Sequence, residues 1–319
     1  MNKKLLALAV SAAVMAPVAA QADVTVYGRI NNALDFNSVD GGDSNTDLSN
    51  VSSRFGFKAS SDLGNGMTAS ARYEFATVTD KEQNNVADLR IGTVGISGGF
   101  GSITVGNQWS AFYDTVGTHI DPTYTVGYYM YSSFAGGPYR ASNTIKYSNS
   151  FGPVYLELDV RVNDSDEPRA IAEKINGNGI GLGLSFAATD NLTIAAAFDS
   201  EDESAADGNG DVDRTGFAAK WAQGGWYAML GWQETEEDGG DTVDNVSIYG
   251  GTSIGDSTNL MVGWQDASSD ANGDADQLIL GLYHNMGGGL KLYYEGTAVS
   301  YDDGRGDIDV HLLGMRIDF

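Results

Sequence analysis

The 319-residue chain has no cysteine and only 5 prolines, and its 18 lysines and arginines are outnumbered by 43 aspartates and glutamates. Without cysteine there is no disulfide framework, no thiolate metal site and no cysteine nucleophile. The formal net charge of −25 excludes nucleic acid as a partner, because a phosphate backbone is bound by a surface rich in lysine and arginine. Beyond the N-terminus there is no run of 18 apolar residues, which excludes membrane spans made of helices. A transmembrane β-barrel survives all of these absences, since its signal is alternation rather than a continuous apolar run.

Residues 1–22 have the form of an export signal. Asn2-Lys3-Lys4 is a basic start, Leu5–Val14 an apolar stretch and Ala20-Gln21-Ala22 a small-residue cleavage site. Cleavage there leaves 23–319 as one domain, more acidic still because the signal carries lysines and no acid.

From Asp23 onward the hydrophobic period is 2, which places alternate side chains on opposite faces of a strand. Val154, Leu156, Leu158, Val160 and Val162 oppose Tyr155, Glu157, Asp159 and Arg161, so one face is apolar and the other mostly charged. The pattern predicts sixteen strands: 24–35, 50–61, 66–79, 87–97, 101–109, 142–150, 153–162, 178–188, 191–200, 213–223, 225–234, 243–253, 258–266, 276–286, 289–299 and 306–319. Most approach the 9–11 residues that a tilted strand needs to cross a membrane.

Tight turns alternate with eight longer connections at 36–49, 80–86, 110–141, 163–177, 201–212, 235–242, 267–275 and 300–305. A soluble sandwich has no reason to sort its loops in this way, whereas an outer-membrane barrel has short turns on one side and long loops on the other. Phe75, Trp221, Trp226, Trp232 and Trp264 lie on the apolar phase near strand ends, as an interfacial girdle requires. The chain closes on an alternating strand ending in Phe319. The predicted fold is therefore all-β, a 16-stranded antiparallel transmembrane barrel.

Several of these segments resemble the general trimeric porins of Gram-negative outer membranes. The likeness is carried by Val26-Tyr27-Gly28-Arg29, by Ser53-Arg54-Phe55-Gly56-Phe57-Lys58 with Asp62-Leu63-Gly64-Asn65-Gly66, and by Arg72-Tyr73-Glu74-Phe75. Arg90-Ile91-Gly92, Gly98-Gly99-Phe100-Gly101-Ser102, Val105-Gly106-Asn107, Ile145-Lys146-Tyr147 and Arg316-Ile317-Asp318-Phe319 complete it. The resemblance implies a homotrimer in outer-membrane lipid and lipopolysaccharide, inserted by the barrel-assembly machinery through Phe319. It also implies passive diffusion of small hydrophilic solutes, and a third long loop that folds inward to constrict the pore.

Here the third long loop, 110–141, is also the longest. By the resemblance Arg29, Arg54 and Lys146 are basic wall residues, and the strand phase points them away from the apolar face together with Arg72, Glu74 and Arg90. Asn107 stands where the family places a further arginine. The family's acidic loop motif is absent, leaving Asp114 and Asp121 as loop carboxylates beside Tyr124 and Tyr128. Acids crowd the outer loops, for example Glu201, Asp202, Glu203 and Asp207. Such a rim focuses a field that attracts cations, so cation selectivity is the expectation. A substrate-selective pore, with loop tyrosines stacking on sugars, is the alternative.

Two outer loops share a D-x-N-G-D-x-D spacing: Asp207, Asn209, Asp211 and Asp213 in one, Asp270, Asn272, Asp274 and Asp276 in the other. Alternating oxygen ligands suit weak Ca²⁺ binding, although both loops lack the glycine at position six and the bidentate glutamate at twelve of an EF-hand. Solvated acidic turns are the competing reading. With three histidines and neither a GxSxG nor an HExxH motif, an outer-membrane hydrolase or adhesin is the distant alternative and no enzyme is expected.

Overall fold

The computed structural model describes residues 22–80, 88–127, 140–162, 178–202, 211–269 and 273–319, with the backbone of 174–175. Within these lie β1 (Asp23–Val39), β2 (Asn45–Asn50 continuing as Arg54–Gly64), β3 (Met67–Ala76), β4 (Asp88–Gly98), β5 (Gly101–Trp109) and β6 (Arg140–Phe151). They are followed by β7 (Val154–Arg161), β8 (Gly179–Thr189), β9 (Leu192–Glu201), β10 (Val212–Gln223) and β11 (Trp226–Glu237). The last are β12 (Thr242–Ile254), β13 (Thr258–Ser269), β14 (Ala275–Gly287), β15 (Leu290–Tyr301) and β16 (Ile308–Asp318). Lys174–Ile175 adds a short parallel bridge to Arg140–Ala141 and is not a stave of the barrel.

Each strand pairs antiparallel with its sequence neighbours, and β16 closes on β1 from Arg29↔Asp318 to Val39↔Ile308. The result is a closed barrel of sixteen strands. Closure leaves no edge strand and satisfies the backbone groups internally, which a bilayer requires. At the seam the Gly28 and Phe319 backbones exchange hydrogen bonds of 2.8 and 3.1 Å. The Phe319 ring occupies the place of a Gly28 side chain, its Cζ 2.6 Å from where a Cβ would sit.

The outer face is apolar because the predicted phase holds: Leu182, Leu184, Leu230, Ile248, Val262, Leu278 and Leu280 are exposed on it. Trp221 and Trp226 stand near the turn that joins β10 to β11. Nearer the opposite ends, the indoles of Trp232 and Trp264 donate to Asp244 and Asp276 at 3.1 and 3.0 Å. These are the two levels at which an amphipathic ring sits best.

The short turns are as expected, and Asn65-Gly66 has both residues at positive φ, the geometry of a tight hairpin turn. The long connections 36–49 and 235–242 are shorter than predicted, because β1 runs to Val39, β2 starts at Asn45, β11 runs to Glu237 and β12 starts at Thr242. Ladder pairing continues past the apolar band, where polar side chains on both faces meet water and alternation fades.

Candidate functional site

After Trp109 the third long connection turns into the lumen. The carboxylate of Asp159 on β7 accepts the Ala111 N–H at 2.6 Å. The Lys146 ammonium donates to the Trp109 carbonyl at 3.3 Å, to Asp114 at 2.5 Å and to Glu157 at 3.1 Å. A π-helical turn (Tyr113–Gly117) and one helical turn (Thr118–Ile120) follow. Phe112, Val116 and Ile120 pack on Ala195, Ala197 and Ala218 of the inner wall. Burying each of these large side chains stabilises the seat by about 1.5–3 kcal/mol.

The wall must be small at this place. A Cβ on Gly231 would lie 1.8 Å from Ile120 Cγ2, and Thr115 and Phe112 fill the same space over Gly183 and Gly216. Farther along, Tyr249 Oη donates to the Ile120 carbonyl at 3.3 Å. The Glu295 carboxylate accepts three successive N–H groups, from Tyr124, Thr125 and Val126, at 2.5, 3.0 and 3.3 Å. Gln277 donates to the Val126 carbonyl at 2.6 Å. Val126 itself joins Met229, Tyr249, Met261, Ile279, Tyr293 and Leu312 in an apolar cluster on the lumen side.

Between this segment and the opposite wall lies a chamber of about 460 Å³. Arg29, Arg54, Arg90, Trp109, Arg140 and Arg316 line it from the wall, while Tyr113, Asp121 and Tyr124 line it from the loop side. A β-bulge between β3 and β4 aims Arg90 inward. Glu74, with its side chain 3% exposed, accepts from Arg72 at 2.7 Å, Arg90 at 3.0 Å and Arg54 at 3.5 Å. It also accepts from Tyr27 Oη at 3.0 Å. Asp318 is shared in the same way by Arg316 at 2.8 Å, Arg29 at 3.1 Å and Lys291 at 3.1 Å. Two carboxylates thus serve six cations.

On the loop, Asp121 is half-buried and accepts from Tyr113 Oη at 3.2 Å. Burial pushes its carboxyl up to about 7 against that hydrogen bond, and the nearby Glu295 charge adds to the rise. Burial and the Asp121 charge also raise the Tyr113 phenol. Burial, with Lys220 nearby, lowers His119.

The residues nominated from sequence divide into groups. Arg29, Arg54, Arg90, Asp121 and Tyr124 meet at the chamber. Arg72 and Glu74 stand one step behind it, and Lys146 and Asp114 pair with each other where the loop enters the lumen. Tyr124 packs edge-on against Tyr283 and Tyr293 at 5.0 and 4.9 Å. Tyr128 lies outside the described residues, as do Asp207, Asn209, Asp270 and Asn272. Asp211 and Asp274 are exposed in outer connections, and Asp213 and Asp276 are exposed on β10 and β14. Among the described residues no three metal-ligating side chains gather.

Sequence reasoning missed Arg140, Arg316, Trp109, Tyr113 and Glu295. Strand phase alone would have found Arg316 and Glu295, which fall on the inward positions of β16 and β15. Arg140 was hidden by a loop drawn to residue 141, since β6 begins at Arg140.

The family model described as Gram-negative porin matches residues 7–304. The major outer membrane protein P.IB of Neisseria meningitidis serogroup A is 38% identical over 126 residues, 36% of this chain and 36% of that protein. The chain therefore matches about a third of the length of such relatives. An anion-selective porin from Comamonas acidovorans superposes with a TM-score of 0.81 at 19% identity, over 94% of this chain and 100% of that one. OmpT of Vibrio cholerae, solved in a trimer form, gives 0.69 at 15% identity over 93% and 99%. At such identities these two speak for the fold. With the family model covering nearly the whole barrel, the chain belongs to the Gram-negative porin family and is an outer-membrane protein.

Proposed function

We propose that the chain is a passive-diffusion pore for small hydrophilic solutes, working as a homotrimer, whose constriction passes anions in preference to cations. The observation that carries the sign is the excess of guanidinium groups around the chamber, with Glu74 and Asp318 each shared among three cations. This is opposite to the cation selectivity expected from the outer acids. Those acids are screened by salt over about 8–10 Å, whereas charges in a narrow, protein-walled passage act on an ion at close range. Asp114 is spent on Lys146, and a half-buried Asp121 near its midpoint at neutral pH offsets little of the arginine charge.

The anion-selective Comamonas neighbour and the trimeric Vibrio neighbour favour the same reading. The packing of Tyr124 against the wall favours a general pore over a sugar-stacking one, and a diffusion channel needs no catalytic group. Outer-membrane lipid and lipopolysaccharide surround the barrel in this reading, the assembly machinery engages Phe319, and the acidic outer turns are solvated with Ca²⁺ a weak ligand. The test is the reversal potential of the protein in a planar bilayer across a KCl gradient. Stepwise conductance in threes with an anion-signed potential is expected, and a cation-signed potential overturns the proposal.

A further inference from the structure

The structure assigns Trp109 a role in the pore's ion preference: its indole is an uncharged platform that helps to hold Arg140 at the chamber and, together with the Glu74 carboxylate, Arg90. This rests on the anion-preferring reading above. A strand position fixes where an arginine begins, not where its guanidinium ends, and a free arginine side chain has about 2 kcal/mol of rotamer entropy to lose. The five arginines at the chamber also repel one another, which drives their heads apart. Glu74 holds Arg54 and Arg90, and Asp318 holds Arg29 and Arg316; the aromatic face of Trp109 adds to these holds at Arg90 and Arg140.

A carboxylate holds an arginine but cancels its charge. An aromatic face holds it through the ring quadrupole and leaves the net charge in place. Trp109 is the direct cross-strand partner of Arg140 in the β5–β6 register. The Arg140 guanidinium lies 5.0 Å from the indole centroid and that of Arg90 6.0 Å away. The indole is itself fixed by Tyr113, stacked at 4.5 Å with 19° between planes. Tyr113 is tied in turn to Asp121 by its hydroxyl. The same device recurs on the lumen side, with Arg316 over Tyr124 at 4.6 Å and both Lys58 and Arg72 over Tyr27 at 4.7 and 5.5 Å. Trp109 differs in standing at the point where the constriction loop leaves the wall. It is a positioning residue: it acts on permeating ions through the arginines it orients.

The test compares Trp109→Leu, Trp109→Phe and the parent trimer by reversal potential, open-pore conductance and thermal melting. Trp109→Leu should lower the chloride-to-potassium permeability ratio roughly two- to five-fold at unchanged formal charge. Trp109→Phe, which keeps a π face, should hold most of the ratio. A Trp109→Leu pore with the parent ratio overturns the assignment, and so does a Trp109→Phe pore that falls as far as Trp109→Leu. If Trp109→Leu fails to assemble, Tyr113→Leu keeps the indole but frees it, and a parent-like ratio there is equally fatal. A cation-preferring parent would sink the proposed function, while the change on substitution would still decide the role of Trp109.

Discussion

The two sides of the lumen are built on opposite principles although both lie on the same inward phase of the barrel. The wall of β8–β11 is stripped to glycine and alanine, with Gly183, Ala195, Ala197, Gly216, Ala218 and Gly231 forming a dry seat for Phe112, Val116 and Ile120. The wall across the chamber, made by β1–β6 and β16, carries arginines whose charge is shared over few carboxylates. One side positions the loop and the other sets the electrostatics of the gap that is left. An inward position is therefore not automatically a pore-lining one. Its side-chain size and the presence or absence of a covering segment decide whether it is core or channel.

The strongest way to break the charged side is Glu74→Gln. It removes the carboxylate that holds Arg54, Arg72 and Arg90 together, and loss of one partner in a buried charge cluster costs on the order of 3 kcal/mol. The urea midpoint of the folded barrel should fall, and the surviving pores should prefer anions more strongly. An unchanged midpoint would mean that water already solvates these arginines.

The small-residue side is broken by Gly231→Leu. The new side chain must displace Ile120, and overpacking of this kind costs about 1–3 kcal/mol. Single-channel recording should show a changed and noisier conductance, because the loop loses its seat while the arginines stay. A parent-like conductance would show that the polar ties at Asp159, Lys146 and Glu295 hold the loop without the apolar seat.

The gentlest test is pH. With burial placing Asp121 near 7, the group is neutral below about pH 6 and charged above about pH 8, within one unit of that value either way. A raised carboxyl favours the packed loop below its ordinary pKa, and that contribution is lost as pH rises through about 7. The added negative charge at high pH also opposes the arginines, so the reversal potential should be more anion-signed at pH 5.5 than at 8.5. Asp121→Asn should flatten the difference, and a persistent slope in that variant would assign the titration elsewhere.

Arg29 and Arg54 could be read from the sequence because strand phase and family likeness agree on them, and Arg90 by phase alone. Trp109 could not, because alternation blurs at 101–109, where β5 carries a register shift between Gly106 and Gln108, and Arg140 could not, because it falls in the expected loop 110–141 although β6 begins there. Glu295 sits 169 to 171 residues from the amides it holds, and no local pattern links such distant groups. Phase points Lys146 inward, but only its neighbours show that it clamps the loop to the wall.

The sequence by itself determined the sixteen staves, their facing and the alternation of short and long connections. These follow from period-2 chemistry between a bilayer and water, which is local and written into every strand. Only the tertiary structure decided which inward residues are covered by the loop, which arginines meet, and how few carboxylates they share. Those outcomes depend on distances between strands far apart in the chain, and charge acts through space rather than along the sequence.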